Sequence, residues 1–217
     1  MGSEPGVGVP ASASFAQALD TLKREGSNIL IVGDAESGPR DAACHRLLGD
    51  SSTDDRFRLF VTTDPSCVEP GEGVESQYLV QRPADSNRAR QEYPTSNVTE
   101  TTMLGVLGTE FVETVDEFEA ENDDVEPSQL RVCVDSVSTL LQTNDSENVF
   151  RLLHVMTTRV RQINGMGHYH LPIDRDDEAV RLLEPLFDAV VEVRSGDQAE
   201  HRWHLRDAET TTDWIPL

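Results

Sequence analysis

The sequence predicts an α/β fold: a mainly parallel sheet with helices on both faces, finished by an antiparallel hairpin near the C-terminal end. Three observations carry this reading. Short apolar runs of strand length alternate with segments of helical period. The first run, Ile29 to Val32, passes through Gly33 into a helix-like segment. The last two, Ala189 to Arg194 and His201 to Arg206, flank a Ser195-Gly196-Asp197 turn and read as a hairpin.

In chain order, Met1 to Ser14 is rich in Gly, Pro, Ser and Ala and reads as a flexible tail before a domain spanning 15–207. Phe15 to Glu25 places Phe15, Ala18, Leu19 and Leu22 at helical spacing, with Gly26 as a stop. Asn28 to Val32 is nearly all apolar, as expected of a strand buried on both faces. A helix starting at Pro39 runs to about Leu48 and stops at Gly49; proline at its first position loses no hydrogen bond. Arg56 to Thr63 reads as a second strand with a turn at Asp64-Pro65-Ser66, and Ser76 to Gln81 as a third.

Pro83 to Thr95 is polar and reads as a surface excursion. Thr101 to Ala120 is amphipathic, with Leu104, Leu107, Phe111, Val115 and Phe118 on one face. An acidic loop, Glu121 to Gln129, leads to the strand Leu130 to Asp135. Asn144 and Glu147 have the spacing of a capping box for a helix reaching Ile163. Gly167 to Leu171 reads as a strand and Asp176 to Leu186 as a helix with acidic residues in its first turn. Residues 208–217 read as a C-terminal tail, in which Trp214 has two readings, docking on a partner or packing on its own domain.

Charge is the strongest compositional signal. Asp and Glu number 40 against 18 Lys and Arg, for a net −22, and Lys23 is the one lysine. The best account is a cytoplasm with very high salt: at about 1 M the Debye length falls to about 3 Å and self-repulsion is screened. No basic stripe offers phosphate neutralisation, so nucleic-acid binding is not expected. Three dispersed cysteines (Cys44, Cys67, Cys133) without C-x-x-C spacing read as reduced structural thiols, not as a disulfide or zinc framework. No apolar run approaches 18 residues and no signal-peptide pattern opens the chain, so a soluble, cytoplasmic protein with no membrane contact is expected.

The stretch Asn28 to Cys44 has the strand, glycine loop and helix layout of a phosphate-binding loop, G-x-x-x-x-G-K-[ST]. Gly33 and Gly38 hold the two glycine positions, while Pro39 and Arg40 stand where the lysine and the metal-binding hydroxyl belong. Arg40 cannot ligate a cation, though its guanidinium suits a phosphate. Asp34 and Glu36 within the loop repel a triphosphate. Asp135 ends an apolar strand, where a carboxylate beside such a loop orders Mg²⁺ and water.

Four blocks, at Gly26 to Arg40, Phe60 to Ser66, Arg131 to Leu141 (R-V-C-V-D-S-V-S-T-L-L) and Leu186 to Arg194, resemble the RecA/KaiC-like branch of P-loop ATPases, specifically degenerate KaiC-like proteins of haloarchaea. The resemblance spans roughly Phe15 to Asp207 and implies a RecA-like P-loop fold. In active relatives the second strand ends in glutamates that polarise water; the matching stretch here is Thr62-Thr63-Asp64. What the resemblance implies is a pseudo-ATPase with a vestigial nucleotide site at Gly33, Ser37, Gly38, Arg40, Asp64 and Asp135. No catalytic residue, no metal and no cofactor are expected, and the role is regulatory, through protein partners or self-association. The alternative is a nucleotide-binding ATPase that uses ATP and Mg²⁺ through Arg40 and Asp135, or is completed by a neighbouring subunit. His168 and His170 share one strand face, a pair that suits a metal, but no third ligand is evident and they read as polar residues near a sheet edge.

Overall fold

The computed structural model describes residues 11–33, 37–49, 56–64, 76–82, 93, 95–122, 124–207 and 210–217. The loop residues Asp34 and Glu36, the Pro65-Ser66 part of the turn, Cys67 and most of the Pro83 to Thr95 excursion lie outside these residues. Among the described residues ten strands form one sheet: β1 (Ser27–Gly33), β2 (Phe57–Thr62), β3 (Ser76–Gln81), β4 (Val98–Thr101), β5 (Leu130–Val134), β6 (Met166–His170), β7 (Ala189–Arg194), β8 (Glu200–Leu205), β9 (Thr210–Thr211) and β10 (Ile215–Pro216). Their order is β10-β8-β7-β1-β6-β5-β2-β3-β4, with β9 also on β8. Every pairing from β7 to β4 is parallel, and β8 turns antiparallel to β7. This is the mixed α/β architecture expected, consistent with a RecA-like fold.

Two layers of helix sandwich the sheet because its central strands are buried on both faces, apolar for the most part. Leu30 and Val32 of β1 point into the larger core, with Leu59, Val61, Val132, Val134 and Tyr169. That face is covered by α3 (Leu104–Glu121), α4 (Val137–Thr143), α5 (Ser146–Gln162) and α6 (Glu178–Leu183). From α3, Leu107, Phe111, Val115 and Phe118 are buried, the stripe its periodicity predicts. Truncating Phe111, which has no exposed surface, to alanine would cost about 3–5 kcal/mol. On the opposite face Ile29 and Ile31 meet Ala43, Val191, Val193 and Trp203 beneath α1 (Ala11–Glu25) and α2 (Ser37–Leu48).

The start of β1 carries a polar residue that the apolar run did not flag as core. Asn28 is fully buried, and its side chain is satisfied on both ends. Its Nδ2 donates to the Thr157 carbonyl at 3.0 Å, and the Tyr169 hydroxyl donates to its Oδ1 at 3.1 Å. The Asn28 amide donates to the Asp188 carboxylate at 2.7 Å, fixing the entry of β1 against that of β7. Buried polar groups persist in a core only when so paired.

Several boundaries differ from expectation. Helix α1 begins at Ala11, inside the segment expected as a tail. Helix α2 starts at Ser37, so Pro39 is its third residue, still within the first turn, where an N–H has no helical acceptor. The expected capping box at Asn144 is absent: Asp145 is the N-cap of α5, and Asn144 instead ends α4. Strand β4 and helix α4 differ from the sequence expectation too; both are short, and pairing or packing decides them more than periodicity does. The C-terminal segment expected as a tail lies along β8, Ile215 opposite His201 and Thr211 opposite His204. Of Trp214's two readings, the structure realises packing on its own domain: the guanidinium carbons of Arg194 and Arg202 lie 3.9 and 4.7 Å from its ring centroid. Among the described residues no helix is long and apolar enough to cross a membrane.

Candidate functional site

The parallel sheet sends the residues singled out from the sequence to one edge. Gly33, Ser37, Gly38 and Arg40 lie where β1 hands over to α2, and Asp64 and Asp135 follow the carboxyl ends of β2 and β5. In open α/β sheets ligands bind at that edge. Strand β6 lies between β1 and β5, so Asp135 and the glycine loop belong to strands that are not neighbours.

Among the described residues, the Gly33 amide and the Asp135 carboxylate at this edge are already engaged by the protein. Gly33 has φ +105°, and its amide donates to the Ile173 carbonyl at 2.8 Å. A Cβ there would sit 2.2 Å from the Val193 carbonyl oxygen, so glycine is required by the close approach of β7 alone. Gly38 is exposed, with nothing within 4 Å of where a Cβ would stand, and Pro39 is buried. Arg40 is half-exposed, with its Nε 3.8 Å from Asp41. Asp135 accepts hydrogen bonds from the Thr62 hydroxyl at 3.0 Å and from the Ser136 hydroxyl. The Ser136 oxygen in turn accepts from the Thr63 amide at 2.7 Å, and the Asp64 amide donates to the Thr62 hydroxyl at 2.9 Å. Asp135 thus knots the end of β5 to that of β2.

A second cluster lies beneath α2, and sequence reading found only half of it. Cys133 on β5 and His168 on β6 stand opposite one another in parallel register, and His170 is two residues further on the same face. All three are buried, and Cys44 of α2 closes over them. The Cys44 sulfur is 3.6 Å from that of Cys133 and 3.3 Å from His168 Nε2. One ligand-type atom from each of the four residues falls within 4.8 Å of every other. His168 and His170 therefore belong to a central strand, not a sheet edge, and their rings meet edge to face at 5.3 Å between centroids. Cys44 is 89 residues from Cys133 and 124 from His168 in the chain, separations that no local spacing encodes.

Electrostatics at the cluster favour thiolate and neutral imidazole. The Cys44 thiol is held well below its ordinary value, foremost by the Cys133 thiol and then by His168, against the opposing effect of burial. Burial pushes His168 below the usual imidazole range; the neighbouring Cys44 opposes this, and the charges of His170 and Arg131 reinforce it. His170 lends the Cys44 thiolate a smaller support, although neither of its ring nitrogens meets a partner in hydrogen-bond geometry. Two buried ring nitrogens left in this way cost about 1–3 kcal/mol each.

The same helix is gripped at its far end. Arg131 Nη1 donates to the Leu47 carbonyl at 2.9 Å, Arg58 Nη2 to Gly49 at 3.0 Å and Arg56 Nη1 to Leu48 at 3.3 Å. Three guanidinium groups thus take the orphan carbonyls and negative dipole end of α2, which stops at Gly49 with φ +78°.

Away from these sites, α3 and α5 leave a groove of about 830 Å³ between Leu104, Gly108, Val112, Leu152 and Val155, rimmed by Glu113, Asp116 and Arg151. Met103, Val106 and Val155 are exposed on the same two helices or beside them. A comparison with curated proteins finds no match. The model of a family of unknown function, DUF7504, matches residues 26–193, from β1 through nearly all of β7, and the chain belongs to that family.

Proposed function

We propose that this chain is a catalytically degenerate RecA/KaiC-like domain, a regulatory or protein-interaction module in the cytoplasm of a halophile. The observation that carries this reading is the engagement of the would-be nucleotide edge. The Gly33 amide is spent on Ile173, and Asp135 is held by Thr62 and Ser136. Pro39 and Arg40 occupy the lysine and hydroxyl positions of the loop pattern. A phosphate would have to displace the Gly33–Ile173 and Asp135 hydrogen bonds to gain a cradle without its lysine, at a net cost in place of the usual gain.

Partner selection then falls to helix faces, and the apolar groove between α3 and α5 is the face best suited to it. The charge of −22 supports the high-salt setting. The alternative, a nucleotide-binding domain using Arg40 and Asp135 or completed by a neighbouring subunit, draws support from Arg40, whose contact with Asp41 is long enough to be exchanged for a phosphate.

Calorimetric titration with ATP and GTP, in multimolar KCl with Mg²⁺, separates the two. The pseudo-enzyme reading expects no heat of binding. Saturable micromolar binding overturns it, and its loss in Arg40→Ala would establish the alternative.

A further inference from the structure

We propose that Cys44, Cys133, His168 and His170 form a closed tetrahedral zinc site that fastens α2 to β5 and β6. Zinc in structural sites takes four thiolate and imidazole ligands, and Cys₂His₂ is among its commonest sets. With zinc–sulfur near 2.3 Å and zinc–nitrogen near 2.0–2.1 Å, tetrahedral angles place two sulfurs about 3.8 Å apart and a sulfur and nitrogen about 3.5 Å apart. The two separations found here are 3.6 Å for the sulfurs and 3.3 Å for Cys44 sulfur to His168 Nε2. All four ligand atoms lie within 4.8 Å of one another, close enough to share one ion after small side-chain shifts.

The surroundings point the same way. His170 is 2% exposed, and both ring nitrogens lack a hydrogen-bond partner; a metal bond gives one of them a partner that the protein does not otherwise provide. Two thiolates and two neutral imidazoles around Zn²⁺ sum to zero charge, the balance that costs a buried site least. Binding therefore proceeds as two thiols and two neutral histidines plus Zn²⁺ giving the bound site and releasing two protons to solvent, less any already lost from Cys44. Nitrogen and sulfur donors exclude Mg²⁺ and Ca²⁺, which require oxygen. All-cysteine iron–sulfur ligation does not fit two histidines, and in the Cys₂His₂ Rieske centre sulfurs and imidazoles sit on different irons, whereas Cys44 sulfur and His168 Nε2 are 3.3 Å apart, close enough to share one ion.

The site has a mechanical consequence. Helix α2 follows the glycine loop and turns few apolar side chains to the sheet, chiefly Ala43 and Leu47. Three arginines hold its C-terminal carbonyls, and the zinc site fixes its middle, through Cys44. The helix that carries a nucleotide's phosphates in the resembling fold is here anchored from below by a metal.

The test uses the full chain purified under reducing conditions in multimolar KCl. Elemental analysis should find one zinc per chain. After chelation and refilling with Co²⁺, the protein should show intense visible d–d bands of a tetrahedral ion together with thiolate-to-metal charge transfer. Cys44→Ser and His170→Gln should each weaken metal affinity at least about a hundred-fold, beyond what loss of an outer-shell partner does. If either variant fails to fold by circular dichroism, the wild-type cobalt spectrum alone decides. A folded wild type that takes up no metal, a weak octahedral cobalt spectrum, a Cys44–Cys133 disulfide found by mass spectrometry, or binding untouched in both folded variants would each overturn the assignment.

Discussion

Replacing Gly33 with alanine should make this protein unfold far more readily. The new Cβ would meet the Val193 carbonyl oxygen at 2.2 Å, in a backbone conformation of φ +105° that L-residues avoid. The left-handed conformation costs a non-glycine residue about 1–2 kcal/mol. Relieving the clash pushes β1 from β7 at their paired residues Gly33 and Val193, an overpacking cost of about 1–3 kcal/mol. Loss of the Gly33 hydrogen bond to Ile173 adds about 0.5–1.5 kcal/mol. The total, about 2.5–6.5 kcal/mol, lowers a urea midpoint by about 0.8–2.2 M for a slope near 3 kcal/mol per molar. Gly38→Ala is the matched control: it is exposed, unobstructed and in the first turn of α2, and should gain up to about 1 kcal/mol. Equilibrium urea unfolding at fixed high KCl, followed by circular dichroism, reads both. If Gly33→Ala leaves the midpoint where it was, the claim that the loop glycine serves the sheet is wrong.

Three further outcomes concern other parts of the molecule. Tyr169→Phe leaves the buried side-chain Oδ1 of Asn28 without its donor, and should cost about 1–3 kcal/mol, seen as a fall in thermal midpoint of about 2–4 °C per kcal/mol. His201 has its pKa lowered by burial first and by the charge of Arg46 second, and His204 is lowered by burial first. Because each binds its proton less readily folded than unfolded, stability should be complete above about pH 6.5 and fall as the pH drops from there towards their folded values. His201→Gln should flatten that fall, and an unchanged slope between about pH 7 and 5.5 would refute the assignment. Circular dichroism should show the fold weakening as KCl is lowered from multimolar to millimolar, given the net charge of −22, and a fold indifferent to salt would remove the halophile reading.

The core of the sheet was legible in the sequence because β1, β5 and β7 are strongly apolar and α3 and α5 strongly periodic. Ser76–Gln81 coincides with β3, and the buried stripe of α3 is the one its spacing gives. The elements that escaped sequence reading did so for physical reasons. Strand β4 is only four residues long and mostly polar, so its pairing with β3 decides it. The C-terminal residues carry no strand periodicity, yet β8 offers them an open edge to pair with. At the glycine loop, spacing placed Gly33, Gly38 and Arg40 together but gave no hint that Ile173 would take the Gly33 amide. The cluster under α2 was half visible. Alternation along β6 put His168 and His170 on one face, whereas Cys44 and Cys133 join them only through parallel register and the docking of a helix.

The most direct test of a disused nucleotide edge is residue by residue: a ¹H–¹⁵N spectrum of the protein in high KCl, recorded as ATP and Mg²⁺ are added. The amides of Gly33, Gly38, Arg40 and Asp135 should stay in place, since the protein's own groups engage this edge and the lysine is gone. Saturable shifts confined to Gly33 through Arg40 and Asp135 would contradict that expectation, and would make this edge a working nucleotide site.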